Sequence, residues 1–245
     1  AFARWLEGRE ITKERTAAWK THLVERGYAP ASVNAMLSAL NSLLDFLGFG
    51  DCRVKFLKVQ RRMFRDDSRD LTRSDYNALT AAAKAQNKTR LALLMEAICA
   101  TGIRVSEVQY ITVEAARAGR AEVALKGKIR TILIPSKLCR KLLKYAKQQK
   151  TASGEIFLTR NGTPLSRRQI WAEMKGLCKT AGVAASKVFP HNLRHLFAAA
   201  FYRASRDIVK LADVLGHSSL ETTRIYLLTS GAEHQRQLDR LGLVS

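Results

Sequence analysis

At 245 residues the chain is long enough for one large domain or two small ones with a substantial core. Its 42 Lys and Arg against 21 Asp and Glu give a net charge of +21 and a pI near 10.3, an excess that disfavours a compact fold unless a polyanion offsets it. An apolar share of 47% without a long charge-free run excludes a disordered chain and a helical membrane span, and nucleic acid is the common polyanionic partner, bound with counterion release.

On charge alone a packaging protein of ribosomal or chromatin type, or a merely solvated basic surface, fits as well. No secretory signal opens the chain, which starts at Ala1, so a missing upstream piece stays open. Cys52, Cys99, Cys139 and Cys178 are scattered without a C-x-x-C pair, which predicts no zinc site and a reducing, cytoplasmic compartment.

In chain order, residues 1–52 read as helices. Ile11-Thr12-Lys13-Glu14 opens a segment with Trp19 and Leu23 at helical spacing, ended by Gly27. Ala29-Pro30 opens the next, where Val33, Met36, Leu37, Leu40, Leu43, Leu44 and Leu47 form an apolar stripe up to Gly48 and Gly50. Residues 53–70 crowd Arg53, Lys55, Lys58, Arg61, Arg62, Arg65 and Arg69 with little periodicity. They read as a basic linker, either lying along a phosphate backbone or simply flexible.

A second domain, 71–245, begins near Leu71, with Thr72 and Asp75 spaced as a helix cap. Residues 89–100 predict a strongly apolar helix ended by Thr101-Gly102. Alternation over 121–135 around Lys126-Gly127-Lys128 predicts a β-hairpin, and Ile156–Leu158 a further short strand. From Ser166 the pattern is helical again, broken at Gly182, Ser205 and Gly216. The fold class is therefore mostly α with a small β-sheet: a helical domain, a basic linker, and an α+β domain.

Several residues lack an obvious structural reason for their positions. Arg104 follows a buried helix and its Gly102 terminator, where it serves either as a surface residue, a salt-bridge partner of Glu107, or a cation held on a rigid frame. Lys126 sits at the hairpin tip, where lysine is usually only solvated. His191 and Arg194 follow Pro190 three residues apart, on one face of a helix start, and helix N-termini favour anions. His195, adjacent to Arg194, is expected to point elsewhere and to be structural or at most supporting. His217 lies at the joint after Leu215-Gly216, and Tyr226 nine residues on, within the helix carrying Thr222, Thr223 and Arg224. A lone tyrosine on a helix is ordinarily a packing residue. Taken together, these groups supply cations, acids and a nucleophile without a carboxylate cluster for metal ions. Phosphoryl transfer needs little beyond positioning and charge neutralisation, so this set can serve without a metal.

Four stretches resemble the tyrosine recombinase (phage integrase) family. Thr101-Gly102-Ile103-Arg104-Val105-Ser106-Glu107 looks like its first-arginine box, and Leu125-Lys126-Gly127-Lys128 like its hairpin lysine. Pro190-His191-Asn192-Leu193-Arg194-His195 looks like its His-x-x-Arg box. Leu215-Gly216-His217-Ser218-Ser219 with Thr222-Thr223-Arg224-Ile225-Tyr226 looks like its last box. The likeness is strong over roughly residues 70–235 and looser over 1–50, where the family keeps a helical core-binding domain. Leu196-Phe197-Ala198-Ala199-Ala200 departs from it, since many members carry a hydroxyl residue there; no loss of chemistry is expected. Lys128 is a second candidate for the hairpin lysine.

The resemblance implies a site-specific recombinase with an N-terminal core-binding domain and an α+β catalytic domain. It implies that Tyr226 forms a 3′-phosphotyrosyl link to DNA, that Arg104 and Arg194 clamp the non-bridging oxygens, and that Lys126 protonates the leaving 5′ oxygen. His191 would act as acid/base on the tyrosine or support that transfer, and His217 would hydrogen-bond the phosphate. No metal, cofactor or ATP is implied. Double-stranded DNA carrying a specific recombination site is the implied partner, bound by a homo-tetramer that exchanges C-terminal tails, in the cytoplasm of a prokaryote or encoded by a phage or mobile element. Leu238, Leu241, Leu243 and Val244 form an apolar tail that docks either on another subunit or on its own domain. The rival readings are a type IB topoisomerase and a DNA-binding regulator on an inactive scaffold.

Overall fold

The computed structural model describes residues 1–59, 68–125, 128–217 and 219–226, with 235–236 and 239–242 beyond them. The chain divides into two compact units, Ala1–Met63 and Phe64–Ser245.

In the first unit, α1 (Phe2–Leu6), α2 (Lys13–Glu25) and α3 (Pro30–Phe46) enclose a small core. The Thr12 hydroxyl caps α2 by accepting from the Arg15 N–H at 3.3 Å, as its position ahead of the apolar spacing predicts. Trp19 and Leu23 meet Val33, Leu37, Leu40 and Leu44, and Phe2 closes the cluster edge-on to Trp19 at 5.2 Å. Of the predicted stripe, Leu43 and Leu47 stay nearly half exposed, so the buried face is narrower than the sequence pattern.

Residues 53–57 are held on this unit by two asparagines seven positions apart on α3. Asn41 donates to the Val54 carbonyl at 3.0 Å and accepts from its N–H at 2.9 Å. Asn34 does the same for Leu57 at 3.0 and 2.8 Å. Each amide thus satisfies both main-chain groups of one residue, as a neighbouring strand would. The basic residues Arg61, Arg62 and Arg65 lie outside the described residues.

The second unit is built around α5 (Thr89–Thr101), which follows α4 (Arg73–Ala85). The Thr72–Asp75 capping box at the start of α4 is formed in both directions. Leu91, Leu94, Met95, Ala97 and Ile98 are buried on nearly all sides, because α4, α7 (Ser136–Gln148), α8 (Arg167–Lys175) and α10 (Pro190–Ser205) pack around this helix. Between α5 and α7 lie α6 (Val113–Ala118) and the hairpin β1 (Arg120–Leu125) and β2 (Lys128–Leu133). The register runs from Arg120 opposite Leu133 to Leu125 opposite Lys128. α9 (Cys178–Ala181) precedes α10, and α11 (Ile208–Leu215) and α12 (Leu220–Arg224) follow it.

Three local expectations are corrected. Ile156–Leu158 forms no strand among the described residues: the chain makes only single bridges, Thr112 with Glu155 and Leu158 with Pro164, while Ile156 and Phe157 point into the core. Their apolar character comes from burial, which looks the same in sequence whether the backbone is a strand or a loop. Tyr226 lies just beyond α12 instead of within it, its N–H donating to the Thr223 carbonyl at 3.0 Å in a tight closing turn. The third correction concerns His195 and belongs with the site. No described helix is long and apolar enough to cross a membrane.

Candidate active site

The ends of α5, α10, α11 and α12 converge in the second unit. Gly102 ends α5 with φ +66°, and a side chain there would run into the Phe197 ring of α10, so only glycine allows this close approach. That contact holds the Arg104 segment against α10. Arg104 itself is tied by Glu107, whose carboxylate accepts from the Arg104 backbone N–H at 2.8 Å and from Nη1 at 2.9 Å. The Arg104 side chain is still 40% exposed. Burial pushes the Glu107 carboxyl up, but the Arg104 backbone N–H and the Arg130 and Arg104 guanidinium groups outweigh it and hold the group below the usual carboxylate range.

Arg194, on the second turn of α10, is the largest fully buried side chain among the described residues, at 1% exposure. Its Nη1 donates to the Gly102 carbonyl, and its Nη2 to the Leu215 carbonyl at 2.8 Å and to His217 Nε2 at 2.9 Å. Burial pulls its pKa down, and a hydrogen bond to Tyr226 works the other way. None of these four partners carries a full negative charge. A buried cation held only by dipoles is costly, and an arriving anion would offset that cost.

Arginine has no acceptor, so the His217 Nε2 facing Arg194 must be unprotonated. The proton is on Nδ1, which donates to Thr223 Oγ1 at 2.8 Å. Burial, then the charges of Arg194, Arg104, Arg130 and His191, hold the His217 pKa down to about 4. The imidazole is therefore neutral at neutral pH. Between the ordinary 6.5 and about 4 the unfolded chain binds this proton more readily, so the residue's contribution to stability is present above 6.5 and is lost as the pH falls toward 4. In DNA-free protein, NMR of the His217 ring protons should show a midpoint near pH 4; a midpoint at the ordinary value would mean that the cations do not surround it.

Tyr226 is 8% exposed and sits on Ala198, Leu211 and Leu215. Three imidazoles surround its ring: His195 at 4.4 Å, His217 stacked at 5.7 Å and His191 at 6.3 Å between centroids. His195 therefore faces the tyrosine and packs edge-on to His191 at 4.6 Å, contrary to the expectation that it points elsewhere. Its spacing explains this: four residues from His191, it lies one helical turn along the same face, whereas adjacency to Arg194 says little. Arg104, His191, Arg194, His217 and Tyr226 thus gather in one place. Lys126 lies at the hairpin tip, outside the described residues. Glu107, His195 and Thr223 complete the site; Glu107 and His195 carry a sequence signal, their places three residues after Arg104 and one helical turn after His191. Among the described residues no three His, Cys, Asp or Glu side chains gather to hold a metal ion.

The chain belongs to the phage integrase family, whose model matches residues 69–232. Among curated proteins, it is 30% identical over 244 residues to the tyrosine recombinase XerA of Thermococcus kodakarensis, covering 96% of this chain and 83% of that one. It is 31% identical over 227 residues to the tyrosine recombinase XerD of Brucella suis, covering 83% and 74%. Among solved structures, XerH recombinase on a palindromic difH substrate, in a post-cleavage complex, superposes with a TM-score of 0.72 at 18% identity, over 98% of this chain and 74% of that one. The crystal structure of XerA recombinase gives 0.60 at 21% identity, over 99% and 89%.

Proposed function

We propose that the chain is a site-specific recombinase that cuts and rejoins DNA through a 3′-phosphotyrosyl intermediate. The observation that carries this reading is the buried Arg194, whose hydrogen-bond partners among the described residues are uncharged, beside Tyr226 and His217. Such a group is complementary to a pentavalent phosphate, whose equatorial oxygens gather negative charge.

In the proposed step the Tyr226 oxygen attacks the scissile phosphorus and the bond to the 5′ oxygen breaks. The tyrosine proton passes to His191, and Lys126 supplies a proton to the leaving oxygen. Arg104 and Arg194 neutralise the non-bridging oxygens, and the neutral His217 ring hydrogen-bonds one of them in the tautomer that carries its proton on Nε2, its Nδ1 then accepting from the Thr223 hydroxyl. His195 steadies the tyrosine ring. The phosphotyrosyl bond replaces one phosphodiester with another, so rejoining by the freed 5′ hydroxyl needs no ATP, and the cations of the site serve where a metal ion otherwise would. The names of the relatives and the DNA in the neighbouring structures support double-stranded DNA as the partner.

We place the first unit as a core-type DNA-binding domain over about residues 1–52, residues 53–70 as a DNA-contacting linker, and the rest as the catalytic domain. A tetramer on paired sites, with exchange of C-terminal tails, completes the proposal. Of the tail's apolar residues Leu241 is 59% exposed, and Leu238, Leu243 and Val244 lie outside the described residues.

The test uses nicked duplexes chosen from a random library by binding to the protein. With EDTA present, a covalent protein–DNA adduct should accumulate as the short downstream fragment bearing the freed 5′ hydroxyl diffuses away. No adduct on any bound duplex would overturn the reading. Relaxation of plasmid supercoils without joining of two sites would turn it into a topoisomerase.

A further inference from the structure

Arg130 occupies an inward position on β2. Arg130 and Ile132, with Ile134 just beyond the strand, point inward, while Ile129 and Leu133 face solvent at 77% and 75% exposure. Placing a guanidinium inside and two large apolar groups outside reverses the usual strand pattern, so the position calls for a specific reason.

The contacts supply one. Arg130 Nη2 donates to the Glu107 carboxylate, and Nη1 to the Val214 carbonyl in the last turn of α11 at 3.2 Å. Its Nε is buried and finds no acceptor among the described residues. At Gly216, φ is +65°, and a side chain there would collide with the Arg130 Cδ, so the turn leading to His217 is folded around this arginine. Arg130 thus touches the carboxylate that holds Arg104 and the segment whose Leu215 carbonyl holds Arg194. It stands four residues from Lys126.

We infer that Arg130 is a positioning residue for strand cleavage, one that neutralises Glu107 so that Arg104 keeps its charge for the phosphate and braces the Val214–His217 turn against the hairpin. This rests on the recombinase reading. Without Arg130, the buried Glu107 carboxylate has Arg104 as its remaining cation among the described residues and draws that guanidinium away from the phosphate.

The test compares wild type, Arg130→Met and Arg130→Lys as full chains. Each is given a normal scissile phosphate and a methylphosphonate, whose reacting group is uncharged and needs no such clamp. On the normal phosphate, single-turnover cleavage by Arg130→Met should fall roughly 10²-fold, the usual effect of losing one preorganised donor, with DNA affinity little changed. Arg130→Lys should recover part of the loss, because its ammonium reaches Glu107 but cannot also span to Val214. On the methylphosphonate the Arg130→Met deficit should shrink to less than about tenfold.

A merely structural role would give the same deficit on both substrates. That result, or wild-type cleavage by Arg130→Met, would overturn the inference. Should Arg130→Met not fold, the same comparison of substrates is made with Arg130→Lys. Absence of adduct with the wild-type protein would instead count against the recombinase reading.

Discussion

Tyr226→Phe should bind the DNA site as wild type does and leave it uncut. The substitution removes one oxygen. The ring remains among His191, His195 and His217 and on the apolar cluster of Ala198, Leu211 and Leu215. The substitution removes the hydrogen bond between the hydroxyl and Arg194. A single such bond contributes about 1 kcal/mol, so the melting temperature should move by only a few degrees. Cleavage should fall below detection in single-turnover assays, since phenylalanine offers no nucleophile and no other residue is proposed to replace it. Persistent cleavage at even a hundredth of the wild-type rate would place the nucleophile elsewhere.

Arg194→Ala should lose cleavage and also stability. The guanidinium fills a space at 1% exposure and satisfies the Gly102 and Leu215 carbonyls. Each buried acceptor left unsatisfied costs about 1–3 kcal/mol, and the void adds more. Relief from burying the charge offsets part of this, so a net loss of about 2–4 kcal/mol is expected by denaturant titration. Arg194→Lys separates the two effects. One ammonium cannot reach two carbonyls and His217 together, yet it keeps the charge and most of the volume. That variant should fold and bind DNA, with cleavage reduced by about 10²–10³-fold. Near-normal cleavage by Arg194→Lys would mean that the fork geometry of the guanidinium is not used.

Much of this was legible in the sequence because it depends on local spacing. The Thr72–Asp75 box, the end of α5 at Gly102 and the alternation of the hairpin each need only a few neighbouring residues. The order of the four motif boxes brought Arg104, His191, Arg194, His217 and Tyr226 into one set before any geometry was known. What was not legible depends on contacts across the chain. Glu107 meets Arg130 from 23 residues away, and Arg130 reaches Val214 from 84, and no periodicity marks either meeting. Asn34 and Asn41 look like ordinary polar positions on a helix, until the chain at Val54 and Leu57 is laid against them. His195 could have been placed, since it repeats His191 after one helical turn. Phe197 in the stretch that departs from the family wording is explained by its ring lying over Gly102.

The central claim is that one named oxygen becomes joined to DNA. Digesting the trapped adduct with trypsin should release the peptide Ile225–Arg236, which contains Tyr226 together with Thr229 and Ser230. Fragmentation in the mass spectrometer should place the nucleotide remnant on Tyr226, and the link should survive alkali as a phosphotyrosyl ester does. A remnant on Thr229, on Ser230 or on any other peptide would contradict the account.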